Sequence, residues 1–201
     1  MAGIVVPFRG SSGKQRLTGL GADSHREVVL AMLADVLETA VQVGRTVVVT
    51  DDPAARQVAL AAPAEAVDDP GGGQGDAVAA ALGLFVSGPV LVVNADVPCV
   101  MPYDLRSLLA ATPPGGIALV SSADGRTNAL SLCAPEVFEP LFGPRSAARF
   151  TRAAEGLGRE AVSVPIPALA DDVDTYDDLV RVGGRVGPHT QAALEGIKLA
   201  S

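Results

Sequence analysis

The sequence predicts an α/β fold: a single-domain three-layer αβα sandwich with a mixed, mostly parallel sheet. Three observations carry this expectation. Short β-branched apolar runs alternate along the chain with longer segments at helical spacing, the rhythm of parallel βαβ units. These runs are apolar at successive positions rather than at alternate ones, as strands buried on both faces are. The rhythm then breaks. Ala129-Leu130-Ser131-Leu132 follows Ile117–Val120 too closely for a helical crossover, which predicts an antiparallel insertion.

In chain order, Ile4-Val5-Val6 has no room for a helix before Pro7 and reads as the first strand. A polar, glycine-containing loop follows. Ser24 and Glu27 have the spacing of a capping box. From His25 to Val43 the residues Val28, Val29, Met32, Leu33, Val36, Leu37 and Ala40 form one apolar helical stripe, ended by Gly44. Thr46–Thr50 is β-branched throughout and reads as the second strand. Pro53 suits the first position of a short helix to Ala62. A weak strand at Glu65–Val67 and a glycine-rich turn lead into a helix from about Gly75 to Val86. Val90–Val93 is a strand, Pro102–Ala111 a helix and Ile117–Val120 a strand. After the antiparallel insertion, helix Ser146–Leu157, strand Ala161–Val164 and helix Tyr176–Val182 return the chain to the sheet. Gly187–Leu194 reads as a last helix. No internal repeat or long linker divides residues 1–201, which predicts one domain.

Composition narrows the function. The 201 residues are 48% hydrophobic and 19% charged, enough to bury a core, which excludes a disordered chain. A net charge of −8 argues against a nucleic-acid binder and against polybasic membrane attachment. Cys99 and Cys133 are too few for a disulfide framework or a zinc knuckle. No apolar run approaches the roughly 18 residues that span a bilayer, and the N-terminus lacks the features of a signal peptide. A soluble cytoplasmic protein is expected.

Ligands of open α/β sheets sit outside the carboxyl ends of the strands, and three features fall there. The loop after the first strand, Pro7 to Leu17, is neither G-x-G-x-x-G nor G-x-x-x-x-G-K-[ST]. It gathers Arg9, Lys14 and Arg16 among glycines and serines, small residues that let amides approach a polyphosphate while the cations offset its charge. Lys14 stands out because the chain has lysine only at 14 and 198. A solvated basic loop is the alternative. Gly71-Gly72-Gly73-Gln74-Gly75, ahead of a helix, permits close approach of a planar or anionic ligand, or is simply a flexible turn. Asp96 ends the Val90–Val93 strand, and Asp171-Asp172-Val173-Asp174-Thr175 supplies a second acidic cluster. Carboxylates from two segments suit Mg²⁺ that also takes phosphate oxygens. Helix capping by Asp174 or Thr175 explains one acid but not three. His25 and His189 read as surface histidines. The residues alone therefore indicate a polyphosphate and Mg²⁺ on an α/β sheet, hence nucleotidyl transfer.

Several stretches resemble, in order, the guanylyltransferases of coenzyme F-420 biosynthesis (the CofC and FbiD type), within the MobA-like nucleotidyltransferases. They are Lys14-Gln15-Arg16-Leu17, Val28–Asp35, Thr50-Asp51-Asp52-Pro53, Asn94-Ala95-Asp96-Val97-Pro98, Arg126–Leu130, Phe142-Gly143-Pro144-Arg145-Ser146-Ala147-Ala148-Arg149, Asp172-Val173-Asp174-Thr175 with Leu179, and Val186-Gly187-Pro188. The resemblance implies a Rossmann-like, GT-A-like nucleotidyltransferase that moves GMP from GTP to a phosphorylated three-carbon acid and releases pyrophosphate. Phosphoenolpyruvate is the first choice of acid, ahead of 2-phospho-L-lactate and 3-phospho-D-glycerate. It further implies Mg²⁺ on Asp96, Asp172 and Asp174, and the acid on Thr127, Gly143 and Ser146, with Arg149 either a further anion contact or a partner within its own helix. The nucleotide falls to Pro7, Phe8, Arg9, Lys14, Gly72, Gly73, Gln74 and Gly75, and the catalytic residues are Lys14, Arg16 and Asp96. The downstream transferase that consumes the product is an implied partner; nucleic acid and membrane are not. The alternatives are a molybdenum-cofactor-type nucleotidyltransferase and a non-catalytic nucleotide-binding regulator.

Overall fold

A computed structural model describes residues 1–10 and 22–200. Strand β1 (Ala2–Pro7) is buried from Gly3 onward and sits near the middle of the sheet. It pairs in parallel with β2 (Gly44–Val49) on one side and β4 (Val90–Val93) on the other. β3 (Glu65–Val67) adds to β2 in parallel. Beyond β4 the chain inserts β6 (Thr127–Leu132), antiparallel to both β4 and β5 (Ile117–Ser121), and β7 (Ala161–Ser163) closes the far edge parallel to β5. The order is β3-β2-β1-β4-β6-β5-β7. The antiparallel insertion and the mostly parallel remainder are as the sequence predicts.

Pro7, expected to end the first strand, is instead its last paired residue, opposite Val49. The amide of Phe8 bonds Val49, so the nitrogen of Pro7 faces the β4 side. Pairing with β4 has already stopped there, at Val5 opposite Val92. No ladder donor is lost, and a central strand tolerates the proline.

Alternation of side chains along the strands feeds two cores. Ile4 and Val6 face one layer, with α1 (Ala22–Val41), α2 (Pro53–Ala61) and α4 (Pro102–Ala110). Val5, Val47 and Val49 face the other, with α3 (Gln74–Leu82) and α5 (Ser146–Gly156). The stripe of Val28, Val29, Met32, Leu33, Val36, Leu37 and Ala40 is buried as its spacing predicts. Helix α1 already begins at Ala22, so Ser24 lies inside its first turn and the expected Ser24–Glu27 capping box does not form. A capping box does form at α7 (Tyr176–Val182), between Thr175 and Asp178. Three elements went unanticipated, the short α6 (Pro167–Ala170) and the 3₁₀ turns at Pro135–Val137 and Gly183–Arg185. No helix among the described residues is long and apolar enough to cross a membrane, and both cysteines are free thiols.

The last helix, α8 (Pro188–Ala200), is held by one buried carboxylate. Asp35 of α1 accepts the amides of His189 and Thr190, each at 2.9 Å, which supplies acceptors for two otherwise unpaired N-terminal donors. The contact needs Gly187, where a Cβ would lie 2.4 Å from the Asp35 carboxylate. Two stretches of the sequence about 150 residues apart thus form one joint. His189 also gains a carboxylate neighbour that spacing did not suggest, Glu38 at 2.8 Å. Asp35→Ala is expected to cost about 1.5–3 kcal/mol in denaturant unfolding, and Asp35→Asn less, because it keeps one acceptor oxygen.

Candidate functional site

Three neighbouring strands deliver their loops to one edge of the sheet. β1 runs into Phe8, Arg9 and Gly10. β4 runs into Asn94, Ala95 and Asp96. Because β6 is antiparallel, it starts at that same edge with Thr127 and Asn128. The loops enclose a cleft of about 280 Å³, closed by Gln74 of α3, by Phe142, Gly143 and Ser146 ahead of and within α5, and by Asp172 and Asp174. Pro7, Phe8, Arg9, Gln74, Asp96, Thr127, Gly143, Ser146, Asp172 and Asp174, all singled out in the sequence, line it. Lys14 and Arg16 lie outside the described residues.

The acidic centre is built by a backbone link. The Val173 amide donates to the Asp96 carbonyl at 2.9 Å, and the Val173 side chain is fully buried. Its two neighbours turn to the cleft. Asp96, Asp172 and Asp174 each bring a carboxylate oxygen within 4.8 Å of the others. Burial raises the Asp172 carboxyl above its ordinary range, and the charges of Asp96 and Asp174 push the same way. A hydrogen bond with Asn128 opposes both. Such crowding is unfavourable for three anions and favourable around a hard divalent cation, which takes oxygen ligands from separate segments. The donor set fits Mg²⁺.

A chain of amides forms the floor. Gln74 Nε2 donates to Asn94 Oδ1 at 2.7 Å, and Asn94 Nδ2 reaches the Thr127 carbonyl and Asn128 Oδ1 at 3.3 and 3.4 Å. Asn128 Nδ2 donates to the Ala170 carbonyl at 3.3 Å, next to the acidic segment. The chain links the start of α3 to Asp172 without adding charge. Asn94 and Asn128, which the sequence analysis quotes within longer matching stretches and gives no role, sit opposite each other because Val93 pairs with Ala129. Their signal in the sequence was their place in those stretches, each beside a buried apolar strand. Arg126 and Phe142, quoted in the matching stretches but given no role there, also line the cleft.

On the β6 side, Ser146 Oγ meets Thr127 Oγ1 at 3.0 Å, both buried. Gly143 has φ +117°, a conformation open to glycine, and Arg145 is left-handed at φ 54°. This kink presents the first turn of α5 to the cleft. Phe142 packs edge-on against Phe150, 5.2 Å between centroids, and keeps the turn in place. Arg149 is exposed and outside the cleft lining.

On the β1 side, Arg9 pairs with Asp69 at 3.3 Å. A second hollow of about 480 Å³ opens there, lined by Arg9, Gly10, Arg26, Asp51, Asp52, Pro53, Asp69 and Gly71. Gly72, Gly73 and Gly75 line neither space. Their smallness serves the turn itself. Gly72 and Gly73 have φ of +81° and +128°, and a Cβ on Gly75 would lie 2.9 Å from Pro140. Within this run of glycines, Gly71 faces the hollow.

Comparison with known proteins gives this geometry a context. The MobA-like NTP transferase domain family matches residues 21–164. The phosphoenolpyruvate guanylyltransferase of Streptomyces scabiei is 36% identical over 206 residues, covering 94% of both chains. That of Conexibacter woesei is 38% identical over 87% of this chain and 82% of its own. The chain belongs to this family. Solved structures agree on the fold. A protein from Desulfovibrio desulfuricans G20 superposes with a TM-score of 0.78 at 15% identity, over 98% of this chain and 95% of that one. A nucleotidyl transferase from Methanothermobacter thermautotroptrophicus gives 0.69 at 15% identity, over 98% and 99%. The domain match takes in Asp96 and the Arg126–Ser146 corner but stops before Asp172 and Asp174. The phosphoenolpyruvate guanylyltransferase relatives extend over that segment by their coverage.

Replacing Asn94 by leucine removes the middle of the amide chain and strands the Gln74 and Asn128 side chains. A stability loss of about 1–3 kcal/mol is expected in equilibrium unfolding, whereas Gln74→Ala, which removes only the end of the chain, should cost less.

Proposed function

We propose that this protein transfers GMP from GTP to the phosphate of phosphoenolpyruvate and releases pyrophosphate, in the cytoplasm and in the service of coenzyme F-420 biosynthesis. The observation that carries this is a cleft in which three carboxylates lie between an arginine on each side, in a chain of the phosphoenolpyruvate guanylyltransferase family.

The chemistry joins two anions. A phosphate oxygen of phosphoenolpyruvate attacks the α-phosphorus of GTP, a new P–O bond forms, and the bond from that phosphorus to the α–β bridging oxygen breaks. The electron pair leaves with pyrophosphate. No side-chain base is needed, because the second ionisation of a phosphate monoester lies near pH 6, and among the described residues no histidine lines the cleft. The work of the protein is positioning and charge compensation. Asp96, Asp172 and Asp174 would hold Mg²⁺, which when bound offsets triphosphate charge and favours in-line displacement.

Arg9 faces the triphosphate from the β1 side, and the hollow beyond it has room for the nucleoside. Lys14 and Arg16 follow Arg9 closely in the sequence and are assigned to the triphosphate. Thr127, Gly143 and Ser146 take the acid. With the Ser146–Thr127 contact using one hydrogen, the pair still has a hydroxyl proton to donate, so an anion is bound without burying another charge.

The test is pyrophosphate release from GTP with Mg²⁺ and, in parallel, phosphoenolpyruvate, 2-phospho-L-lactate or 3-phospho-D-glycerate, with ATP and CTP as controls. Release is expected with GTP and phosphoenolpyruvate. Silence with every acid, in folded protein that binds GTP, would sink the proposal. Asp96→Asn and Asp172→Asn should each lower turnover about 10²–10³-fold and weaken Mn²⁺ binding followed by electron paramagnetic resonance, and a chelator should abolish turnover of the unaltered protein.

A further inference from the structure

The cleft holds two arginines among the described residues, and they flank the acidic centre from opposite sides. Arg9 follows β1. Arg126 lies at the turn between β5 and β6, beside Thr127. The strand order β1-β4-β6 places Asp96, which follows β4, between them. The two sides differ in room. Past Arg9 the cleft meets the hollow of about 480 Å³, large enough for a nucleoside. Past Arg126 it ends against Phe142, Gly143 and Ser146, a corner suited to a small molecule.

The backbone of Arg126 is firmly placed. Its amide donates to Ser122 Oγ at 3.2 Å and to Asp124 Oδ1 at 3.1 Å, within a turn at Gly125 whose carbonyl accepts the Ala147 amide of α5. The side chain is half-exposed and makes one ion pair, Nε to Asp124 Oδ2 at 3.1 Å. Held at Nε, the guanidinium has both terminal nitrogens to offer a ligand. Exposed pairs of this kind add little to stability, so Asp124 is readily exchanged for a ligand anion. A planar fork beside two hydroxyls suits a small molecule carrying a carboxylate or a phosphate, which it can grip with two parallel hydrogen bonds.

We infer that Arg126 is the acceptor-binding cation of this protein, the residue that grips an anionic end of the phosphorylated acid while Arg9 serves the nucleotide. The inference rests on the guanylyl-transfer reading and adds a specificity residue to it. Arg126 anchors the acid at an end away from the attacking oxygen. It also compensates charge on the side of the centre that Arg9 does not reach. Removing it weakens binding of the acid and leaves binding of GTP in place.

The experiment uses the full-length protein and its Arg126→Gln and Arg126→Lys variants. Steady-state kinetics are combined with direct calorimetric titration of phosphoenolpyruvate, and thermal unfolding checks that each variant is folded. Arg126→Gln is expected to raise KM for phosphoenolpyruvate about 10- to 100-fold and to leave KM for GTP within about twofold. Arg126→Lys should recover part of the loss, since it restores charge but not the fork. An unchanged phosphoenolpyruvate KM in Arg126→Gln overturns the inference. So does an equal rise in both KM values, which would put the side chain on the triphosphate. The titration separates this inference from the reading beneath it. An unaltered protein that binds phosphoenolpyruvate without releasing pyrophosphate, while Arg126→Gln loses that binding, overturns guanylyl transfer and upholds Arg126 as the acceptor cation. An unaltered protein that neither binds nor turns over phosphoenolpyruvate overturns both.

Discussion

The hydrogen bond from the Val173 amide to the Asp96 carbonyl is the joint on which the site depends. One partner follows a central strand and the other comes from a loop near the end of the chain, yet their contact places three carboxylates within 4.8 Å. The Val173 side chain in the core supplies the stabilisation that crowded anions lack. Apolar burial thus holds an arrangement that electrostatics alone would disperse. The raised Asp172 carboxyl records that tension.

The antiparallel β6 has the second formative role. In a wholly parallel sheet the strand next to β4 would arrive at this edge by its carboxyl end, after a crossover helix. Reversed, β6 begins here, so Thr127 and Asn128 are the first residues after a short turn that also carries Arg126. The reversal brings a hydroxyl, an amide and a cation to the cleft within three consecutive positions. It also faces Asn94 with Asn128, from which the neutral amide chain grows.

Charge in the cleft is divided by position. Anionic side chains occupy the centre, cationic ones flank it, and amides and hydroxyls fill the floor between. Neutral groups suit that floor because they hold the carboxylates in place without cancelling the charge a cation must meet. The same economy appears far from the site, where Asp35 satisfies two amides of α8 and so fixes the end of the chain.

What the sequence determined by itself was the rhythm of the elements, the buried stripe of α1, the antiparallel insertion and the residue types able to take a polyphosphate. These follow from local periodicity and side-chain chemistry, which neighbours in sequence decide. The ordered resemblance of the motifs named candidate site residues and an acid, and the three carboxylates it named lie together. Other features were decided only by tertiary structure. Asn94 meets Asn128 through strand register, Asp35 reaches His189 across the fold, Gly72 and Gly73 take positive φ in a turn, and Gly75 closely approaches Pro140. Each depends on which residues distant in sequence are brought into van der Waals or hydrogen-bond range. No local pattern encodes that, because the same asparagine, aspartate or glycine has many uses until packing selects its partner.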